Sequence, residues 1–312
     1  MIPIPTLARL LAEARTVGPS PVVVAAAEND TALAAVAHAR RKRIADVILV
    51  GGEKGLRARL TSLGEEPAAY RIVDAPDDAA AARIAVGLVR SGEAAVLMKG
   101  RMKTGDLLHA ILDRKEGLRT ERLLSDVLVA EHPLSDAPRL VGITDGGVNV
   151  APTLAQKRAI IENAVALFRR LGHAVPKVAC LCATETVTEA MPHTVEARAL
   201  AEANADGELP GCIVYGPLAL DNALSEDAAR AKGIDHPVAG RADILLVSSI
   251  EAGNALGKAF TYLAKRPVAH VIVGARVPVL IPSRVERADD KLCSIALGVV
   301  AASRPPPAEP PP

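Results

Sequence analysis

The sequence of 312 residues contains no tryptophan, two phenylalanines and three tyrosines. Proteins that bind single-stranded nucleic acid stack bases on aromatic side chains, so this scarcity argues against that class. The chain also has no charge excess, since 37 basic and 36 acidic residues give a net charge of +1. A basic excess is typical of proteins that bind nucleic acid or membrane surfaces. We therefore expect neither a nucleic-acid partner nor a membrane partner.

Long apolar runs are missing as well, since none reaches the roughly 18 residues of a membrane-spanning helix. The opening stretch MIPIPTLARLLAEART shows no basic leader, apolar core or cleavage site of a secretion signal. Cysteines are few and lie in apolar stretches, at Cys180, Cys182, Cys212 and Cys293. Their spacing does not fit a zinc site, and packed, reduced thiols are typical of intracellular proteins. These features predict a cytoplasmic protein without a metal.

The chain is rich in short apolar runs that alternate with amphipathic helical stretches. The runs predict strands at 22–27, 45–51, 70–75, 94–100, 139–146, 177–183, 211–217 and 242–249. Nearly continuous apolar character is typical of parallel strands that are covered on both faces. The alternation predicts an α/β fold with mostly parallel sheets and flanking helices.

The end of the chain departs from this alternation. Residues 269–282 hold two extended runs around Gly274 with no room for a crossover helix, which predicts an antiparallel pair. A final helix is predicted at about Asp290–Ala302, and the proline-rich residues 305–312 are predicted to be a disordered tail. The polar segment 132–139, with two prolines, is a predicted domain break.

Polar, glycine-rich segments follow four of the predicted strands, at 99–106, 144–149, 217–222 and 250–254. Ligands of open α/β sheets bind outside the carboxyl ends of the strands. Glycines there permit a close approach of the backbone to a ligand. Lys99, Arg101 and Lys103 add positive charge. The sequence therefore predicts a site for an anionic, phosphate-bearing ligand.

Several familiar motifs are absent. GNALGKAF (253–260) has three residues between its glycines where a phosphate-binding loop has four, and Ala259 follows Lys258. No GxGxxG follows the first strand and no GxSxG occurs, which argues against dinucleotide-binding dehydrogenases and α/β hydrolases. The scattered histidines show no metal-ligand spacing.

The segment VLIPSRVERADDKLCSIALG (279–298) places four reactive side chains between two apolar runs. They are Ser283, Arg284, Asp289 and Asp290. Either aspartate can cap the final helix, worth about 1 kcal/mol. A carboxylate in a cleft can instead act as a general base. The pattern alone leaves both roles open.

Several long segments together resemble phosphate acyltransferases, and more narrowly the phosphate butyryltransferase branch of the phosphate acetyl/butyryltransferase family. They are LMKGRMKTGDLLHAIL, GLRTERLLSDV, ITDGGVNVAPTLAQKRAIIENAV, GCIVYGPLALDNALS, AGRADILLVSSIEAGNALGKA and PSRVERADDKLCSIALGV. The resemblance spans roughly residues 20–302. It implies reversible conversion of acyl-CoA and phosphate into acyl phosphate and CoA.

The resemblance also implies a two-lobed fold similar to isocitrate and isopropylmalate dehydrogenases, and a homodimer. The expected lobes are residues 1–136 with 290–304, and residues 137–289. Coenzyme A is expected as a substrate, with no tightly bound cofactor and no metal.

Site residues are implied by the same resemblance. Ser283 is expected to orient the thiol or bind the oxyanion, and Arg284 to bind phosphate. Asp290 stands seven residues after Ser283, as the acid does in the acetyltransferases, whereas butyryltransferases tend to hold an acid at the position of Asp289, so the base stays open between the two.

Further residues are expected to bind phosphate or acyl phosphate, namely Arg101, Lys99 and Thr104. Residues expected to line the cleft or contact CoA are Thr144, Asp145, Asn149, Asp221, Asn222 and Asn254, and each of these can instead be a turn former.

Two other functions fit the predicted fold. One is an NAD-dependent dehydrogenase, which requires a cluster of metal-binding aspartates that the sequence does not supply. The other is a non-catalytic module that binds CoA or acyl phosphate without turnover.

Overall fold

A computed structural model describes residues 2–135, 137–283 and 286–306. The chain folds into two compact units. We call Ala8–Arg122 with Ala269–Arg304 the N-terminal unit. The central unit comprises Met1–Leu7, Leu123–Val268 and Pro305–Pro312.

The elements up to residue 112 alternate strictly between helix and strand, apart from a 3₁₀ turn at Pro67–Ala69. They are α1 (Leu7–Val17), β1 (Ser20–Ala25), α2 (Asp30–Arg41), β2 (Ala45–Gly51), α3 (Glu53–Ser62), β3 (Arg71–Asp74), α4 (Asp78–Arg90), β4 (Val96–Lys99) and α5 (Thr104–Leu112). Side-chain caps begin two of these helices, from Asn29 for α2 and Asp77 for α4.

The following elements continue the pattern after two successive strands. They are β5 (Ser125–Glu131), β6 (Leu140–Thr144), α6 (Leu154–Arg170), β7 (Lys177–Leu181), α7 (Pro192–Ala205), β8 (Ile213–Leu218), α8 (Leu220–Leu224), α9 (Glu226–Ala231), β9 (Ile244–Leu246) and α10 (Ile250–Lys258), which ends in a π-helical turn at Ala259–Leu263. The chain closes with β10 (Val268–Val273), β11 (Val279–Leu280) and α11 (Ala288–Ser303).

The strands of the N-terminal unit lie in the order β3-β2-β1-β4-β11-β10. All neighbours are parallel except β10 and β11, which pair antiparallel with Ile272 opposite Val279. The predicted antiparallel pair in 269–282 is thus confirmed. Because β1 lies between β2 and β4, the chain reverses its direction of winding there, which is where open α/β sheets bind ligands.

The strands of the central unit lie in the order β5-β6-β9-β7-β8. β5 and β6 are antiparallel, and the other neighbours are parallel. Helix α6 packs on this sheet through the buried ring of Phe168, which lies against Gly142 of β6. A Cβ at Gly142 would lie 2.5 Å from that ring, so the glycine sets how closely the helix packs.

The prediction of an α/β fold with mostly parallel strands and flanking helices is confirmed. Strand β5 was missed, because its four central apolar residues are flanked by Ser125, Asp126 and Glu131 and gave no distinct run. The final helix begins at Ala288, two residues before the predicted start. Among the described residues, no helix is both long and apolar enough to cross a membrane.

The compact units differ from the predicted lobes. The predicted boundaries lie at 136/137 and 289/290, whereas the units meet at 122/123 and 268/269. Residues 123–135 carry β5, which pairs with β6 and so belongs to the central unit. Residues 269–283 carry β10 and β11, and β11 pairs with β4 of the N-terminal unit. Of the predicted disordered tail, residues 307–312 lie outside the described part of the chain.

The predicted break at 132–139 is the loop of the β5–β6 hairpin. The backbone N–H of His132 donates to the carbonyl of Arg139 at 2.8 Å, and the Arg139 guanidinium lies 2.9 Å from Nε2 of His132. Nδ1 of His132 accepts the N–H of Leu134 at 3.2 Å. Burial, and next the charge of Arg139, lowers the pKa of His132 to about 4.

This histidine makes stability depend on pH. The unfolded chain binds a proton at His132 near its ordinary pKa of 6.5, and the folded chain only near 4, so acidification through that window favours unfolding. His132→Asn keeps an acceptor for Leu134 and removes the titration. When the pH falls from about 6.5 to about 4, we expect the variant to lose less unfolding free energy than the wild type, with a difference of up to about 3 kcal/mol.

Urea denaturation at stepped pH measures this difference. Because other carboxylates and histidines also titrate, the informative quantity is the slope of unfolding free energy against pH in each protein. Equal slopes for the wild type and His132→Asn would contradict the assignment.

Candidate functional site

Three residues that the sequence predicts to bind an anion lie between the end of β4 and the start of α5, namely Lys99, Arg101 and Thr104. Lys99 is 4% exposed, and its Nζ donates to the carbonyls of Gly100 and Met102, each at 3.1 Å. Its ammonium thus stabilises the loop that follows β4. Lys99 is the last residue of β4 and therefore lies at the carboxyl edge of the sheet, as predicted.

Arg101 lies beside β1, because the N–H groups of Gly100 and Arg101 donate to the carbonyls of Ala25 and Ala26, each at 2.8 Å. A side chain at Gly100 would collide with the Ala26 carbonyl, so only glycine permits this approach.

The guanidinium of Arg101 lies between two carboxylates. Its Nη2 is 2.7 Å from Oδ1 of Asp78, and its Nε is 3.7 Å from Oε2 of Glu28. An anionic ligand at Arg101 must therefore compete with both. The sequence analysis did not identify Glu28 or Asp78, which lie after β1 and at the start of α4.

Thr104 is the first residue of α5 and is exposed. The preceding residue, Lys103, makes no side-chain cap, so the first N–H groups of α5 are not satisfied by its side chain. N-terminal amides of a helix favour an anion. Thr104 therefore lies at a helix start that follows a strand, and its binding of phosphate stays a prediction.

Ser283 is exposed and follows β11. Its backbone N–H donates to Oε1 of Glu286 at 2.9 Å, and its carbonyl accepts from Nζ of Lys291 at 3.1 Å. Arg284, predicted to bind phosphate, lies outside the described residues. Glu286 and Lys291 were not identified from the sequence, since nothing in a local pattern shows that two side chains converge on one backbone.

The two aspartates lie in the first turn of α11. The residue preceding the helix is Arg287, which makes no side-chain cap, so neither Asp289 nor Asp290 caps the helix. This result excludes the capping interpretation. Negative charge in the first turn still complements the helix dipole.

The environments of the two aspartates differ. Asp290 is 1% exposed, and its carboxylate accepts from Nε of Arg287 at 3.2 Å. Asp289 is exposed, and its negative charge is close enough to His38 of α2 to affect the pKa of that histidine. Burial lowers the pKa of His38, as do Lys42 and Arg41, while Asp289 opposes that shift.

In the central unit, the loop 144–149 is organised around the carboxylate of Asp145. It accepts the N–H groups of Gly147 at 2.8 Å, Val148 at 2.9 Å and Asn149 at 3.2 Å, and the Asn149 amide at 2.6 Å. Burial, with the nearby charge of Asp126, raises the pKa of Asp145, and these hydrogen bonds oppose the rise.

Thr144 and Asn149 also bond to the backbone. The Thr144 hydroxyl donates to the Asp126 carbonyl at 2.7 Å, and the Asn149 amide donates to the Leu124 carbonyl at 2.8 Å. Thr144, Asp145 and Asn149 therefore shape the loop through bonds to the backbone. This is the turn-forming role that the sequence left open beside a role in binding.

One glycine of TDGGVN and the glycine of IEAGN lie against each other. A Cβ on Gly253 would lie 2.7 Å from Cα of Gly146, and a Cβ on Gly146 would lie 2.8 Å from the carbonyl carbon of Gly253. The Asn254 amide donates to the Gly146 carbonyl at 3.4 Å. Gly146 and Gly253 thus allow two backbones to approach each other, and the approach of a ligand to these loops stays a prediction.

Asp221 and Asn222 are the second and third residues of the short helix α8. Asp221 is 3.5 Å from Nζ of Lys232, and the amide of Asn222 donates to Glu185 at 3.4 Å. Asn222 is fully buried, and its Oδ1 has no hydrogen-bond partner within the described part of the chain. These residues lie beyond β8, as predicted, in a charged group with Glu185 and Lys232.

The predicted residues thus fall into groups within each unit. Lys99 ends β4 and Arg101 and Thr104 follow it, and β11, the neighbour of β4 in the sheet, precedes Ser283 and the aspartates. In the central unit Asp145 bonds to Asn149, and Asn254 bonds to the carbonyl of Gly146 in the same loop. Across residues 2–135, 137–283 and 286–306, no group of three or more His, Cys, Asp or Glu side chains forms a metal site.

The fold is shared with known enzymes. The crystal structure of a branched-chain phosphotransacylase from Enterococcus faecalis matches with a TM-score of 0.81 at 31% identity, covering 91% of this chain and 99% of that one. A 4-hydroxythreonine-4-phosphate dehydrogenase from Klebsiella pneumoniae matches with a TM-score of 0.56 at 12% identity, covering 92% and 99%. The second likeness shows the fold alone, which the chain thus shares with a dehydrogenase; the expected similarity to isocitrate and isopropylmalate dehydrogenases in particular stays a prediction.

Sequence comparison identifies the family. A phosphate acetyltransferase of Thermotoga maritima is 44% identical over 281 residues, covering 90% of this chain and 95% of that protein. A probable phosphate butyryltransferase of Bacillus subtilis is also 44% identical over 281 residues, covering 90% and 93%. The model of the family described as "Phosphate acetyl/butaryl transferase" matches residues 77–299. The chain therefore belongs to the phosphate acetyl/butyryltransferase family.

Proposed function

We propose that this protein is a phosphate acyltransferase that reversibly transfers a short acyl group between coenzyme A and inorganic phosphate. The observation that carries the proposal is the family match, because residues 77–299 contain every residue assigned to the site. Relatives at equal identity bear acetyl and butyryl names, so both acyl groups are proposed substrates. We further propose a cytoplasmic homodimer without a tightly bound cofactor.

The chemistry requires a base and a cation. The thiol of CoA has a pKa of roughly 8.5, so little of it is thiolate at neutral pH. A carboxylate within hydrogen-bond reach raises the reactive fraction. In one direction this thiolate attacks the acyl phosphate. In the other direction phosphate attacks the thioester of acyl-CoA, and negative charge builds up beside a phosphate that is already charged. An arginine binds phosphate through two parallel hydrogen bonds, which is the role we propose for Arg284.

We propose Asp290 as the base and Ser283 as the group that orients the thiol or the oxyanion. Asp290 is buried in the first turn of α11, and its contact with Arg287 fixes its orientation. Asp289 is exposed and faces α2. A fixed orientation favours proton transfer, because a base acts only within hydrogen-bond reach of its proton.

Turnover tests the function directly. We expect the protein to release free thiol from acetyl-CoA or butyryl-CoA only when phosphate is present, and to form an acyl phosphate that hydroxylamine traps. Oxidation or reduction of NAD and simple binding of CoA are measured in parallel. Binding without phosphate-dependent thiol release from any chain between acetyl and pentanoyl would refute the proposal.

The order of the chemistry is testable separately. Direct attack within a ternary complex forms no acyl-enzyme. We therefore expect no exchange of labelled CoA into acyl-CoA when phosphate is absent, and intersecting initial-rate plots. Exchange without phosphate would instead require a covalent intermediate, with Ser283 as its first candidate.

The base assignment is tested by two isosteric variants. Asp290→Asn removes the proton acceptor, and we expect kcat to fall by roughly 10²–10⁴-fold. Asp289→Asn serves as its matched control, because it changes the neighbouring side chain in the same helical turn, and we expect kcat to change little. Steady-state kinetics at saturating phosphate give the comparison. Full turnover in Asp290→Asn with loss in Asp289→Asn would reverse the assignment.

A further inference from the structure

The backbone of Ser283 is held at both of its polar groups by ionisable side chains. Its N–H donates to Oε1 of Glu286 at 2.9 Å. Its carbonyl accepts from Nζ of Lys291 at 3.1 Å, and the same Nζ donates to the carbonyl of Glu286 at 2.6 Å. The backbone of Ser283 is thus held on one side by a carboxylate and on the other by an ammonium.

Lys291 is 2% exposed, which is unusual for a lysine. Burial of an ammonium is costly unless hydrogen bonds satisfy it. Its position near the start of α11 points its donors at the carbonyls of residues 283 and 286. Burial lowers the pKa of Lys291, and the charges of Glu286 and Asp290 oppose this shift. An apolar residue here would remove the burial cost but leave both carbonyls without this donor.

Burial of the Glu286 carboxylate is also energetically unfavourable. Its side chain is 10% exposed, and Oε1 lies 3.9 Å from Nε2 of His270 in addition to its bond with Ser283. Within the described residues, Oε2 is buried and has no hydrogen-bond partner. A buried polar atom that lacks a partner costs about 1–3 kcal/mol. The carboxylate is therefore retained although one of its oxygens is not satisfied.

We infer that Glu286 and Lys291 are positioning residues, which fix the backbone of Ser283 and thereby aim its hydroxyl for acyl transfer. This inference rests on the proposed function. A misplacement of about 1 Å at a reacting group lowers the rate roughly 10²-fold, so two hydrogen bonds to one residue's backbone have kinetic consequences. Neither side chain exchanges a proton with the substrate in this role.

The two variants of Glu286 separate positioning from proton transfer. Glu286→Gln keeps a carbonyl oxygen that accepts the N–H of Ser283, whereas Glu286→Ala removes the acceptor. We expect Glu286→Gln to retain kcat within about threefold and Glu286→Ala to lose roughly 10–100-fold in kcat. A smaller change is expected in KM for acyl-CoA. Equal losses in both variants would indicate a need for the carboxylate's charge or basicity and would overturn the inference.

Lys291→Met tests the other contact, with Arg304→Met as its control. Arg304 is a cation at the opposite end of α11, is 7% exposed, and pairs with Glu13 at 3.2 Å. Both substitutions should lower the melting temperature. Only Lys291→Met should lower kcat, again by roughly 10–100-fold. An unchanged kcat in Lys291→Met, or an equal fall in Arg304→Met, would overturn the inference.

Wild-type turnover distinguishes a failure of the positioning inference from a failure of the proposed function. An active wild type with Glu286→Ala as fast as Glu286→Gln refutes positioning and leaves the proposed function intact. A wild type that releases no thiol refutes both. If Lys291→Met does not fold, the pair of Glu286 variants still tests the inference, because Glu286→Gln keeps an acceptor for the N–H of Ser283 and Glu286→Ala removes it.

Discussion

A charged side chain that leaves water must find hydrogen-bond partners, and at the strand ends of this protein those partners are backbone atoms. Lys99 donates to the carbonyls of its own loop, and Asp145 accepts three successive N–H groups. Lys291 donates to the carbonyls of Ser283 and Glu286. Charge at these positions fixes the loops, and the loops determine where the reactive groups lie.

This arrangement separates residues that hold a loop from residues that can meet a ligand. Thr104 and Ser283 are exposed, whereas Lys99 and Asp145 are buried. Arg101 is exposed too, but its guanidinium is shared with Glu28 and Asp78. Phosphate at Arg101 would therefore have to displace carboxylates, which weakens its binding relative to a free arginine.

The periodicity of the sequence was sufficient for most of the fold, since apolar runs mark buried strands whatever their neighbours are. It was insufficient for β5, where Asp126 lies within the strand, and for the 132–139 hairpin, whose prolines suggested a domain break. The resemblance of several segments to a family identified the chemistry. Single-sequence patterns could not show that Glu286 and Lys291 converge on Ser283, because that meeting depends on how β11 and α11 pack.

The contact between Gly146 and Gly253 has a thermodynamic consequence. The loop 144–149 and the start of α10 pack main chain against main chain, and a Cβ at either glycine would lie under 3 Å from the other residue's backbone. A side chain at one position therefore has no space unless the opposite segment shifts, and overpacking of this kind is destabilising. Two short polar motifs, distant in sequence, thereby depend on each other's smallest residue.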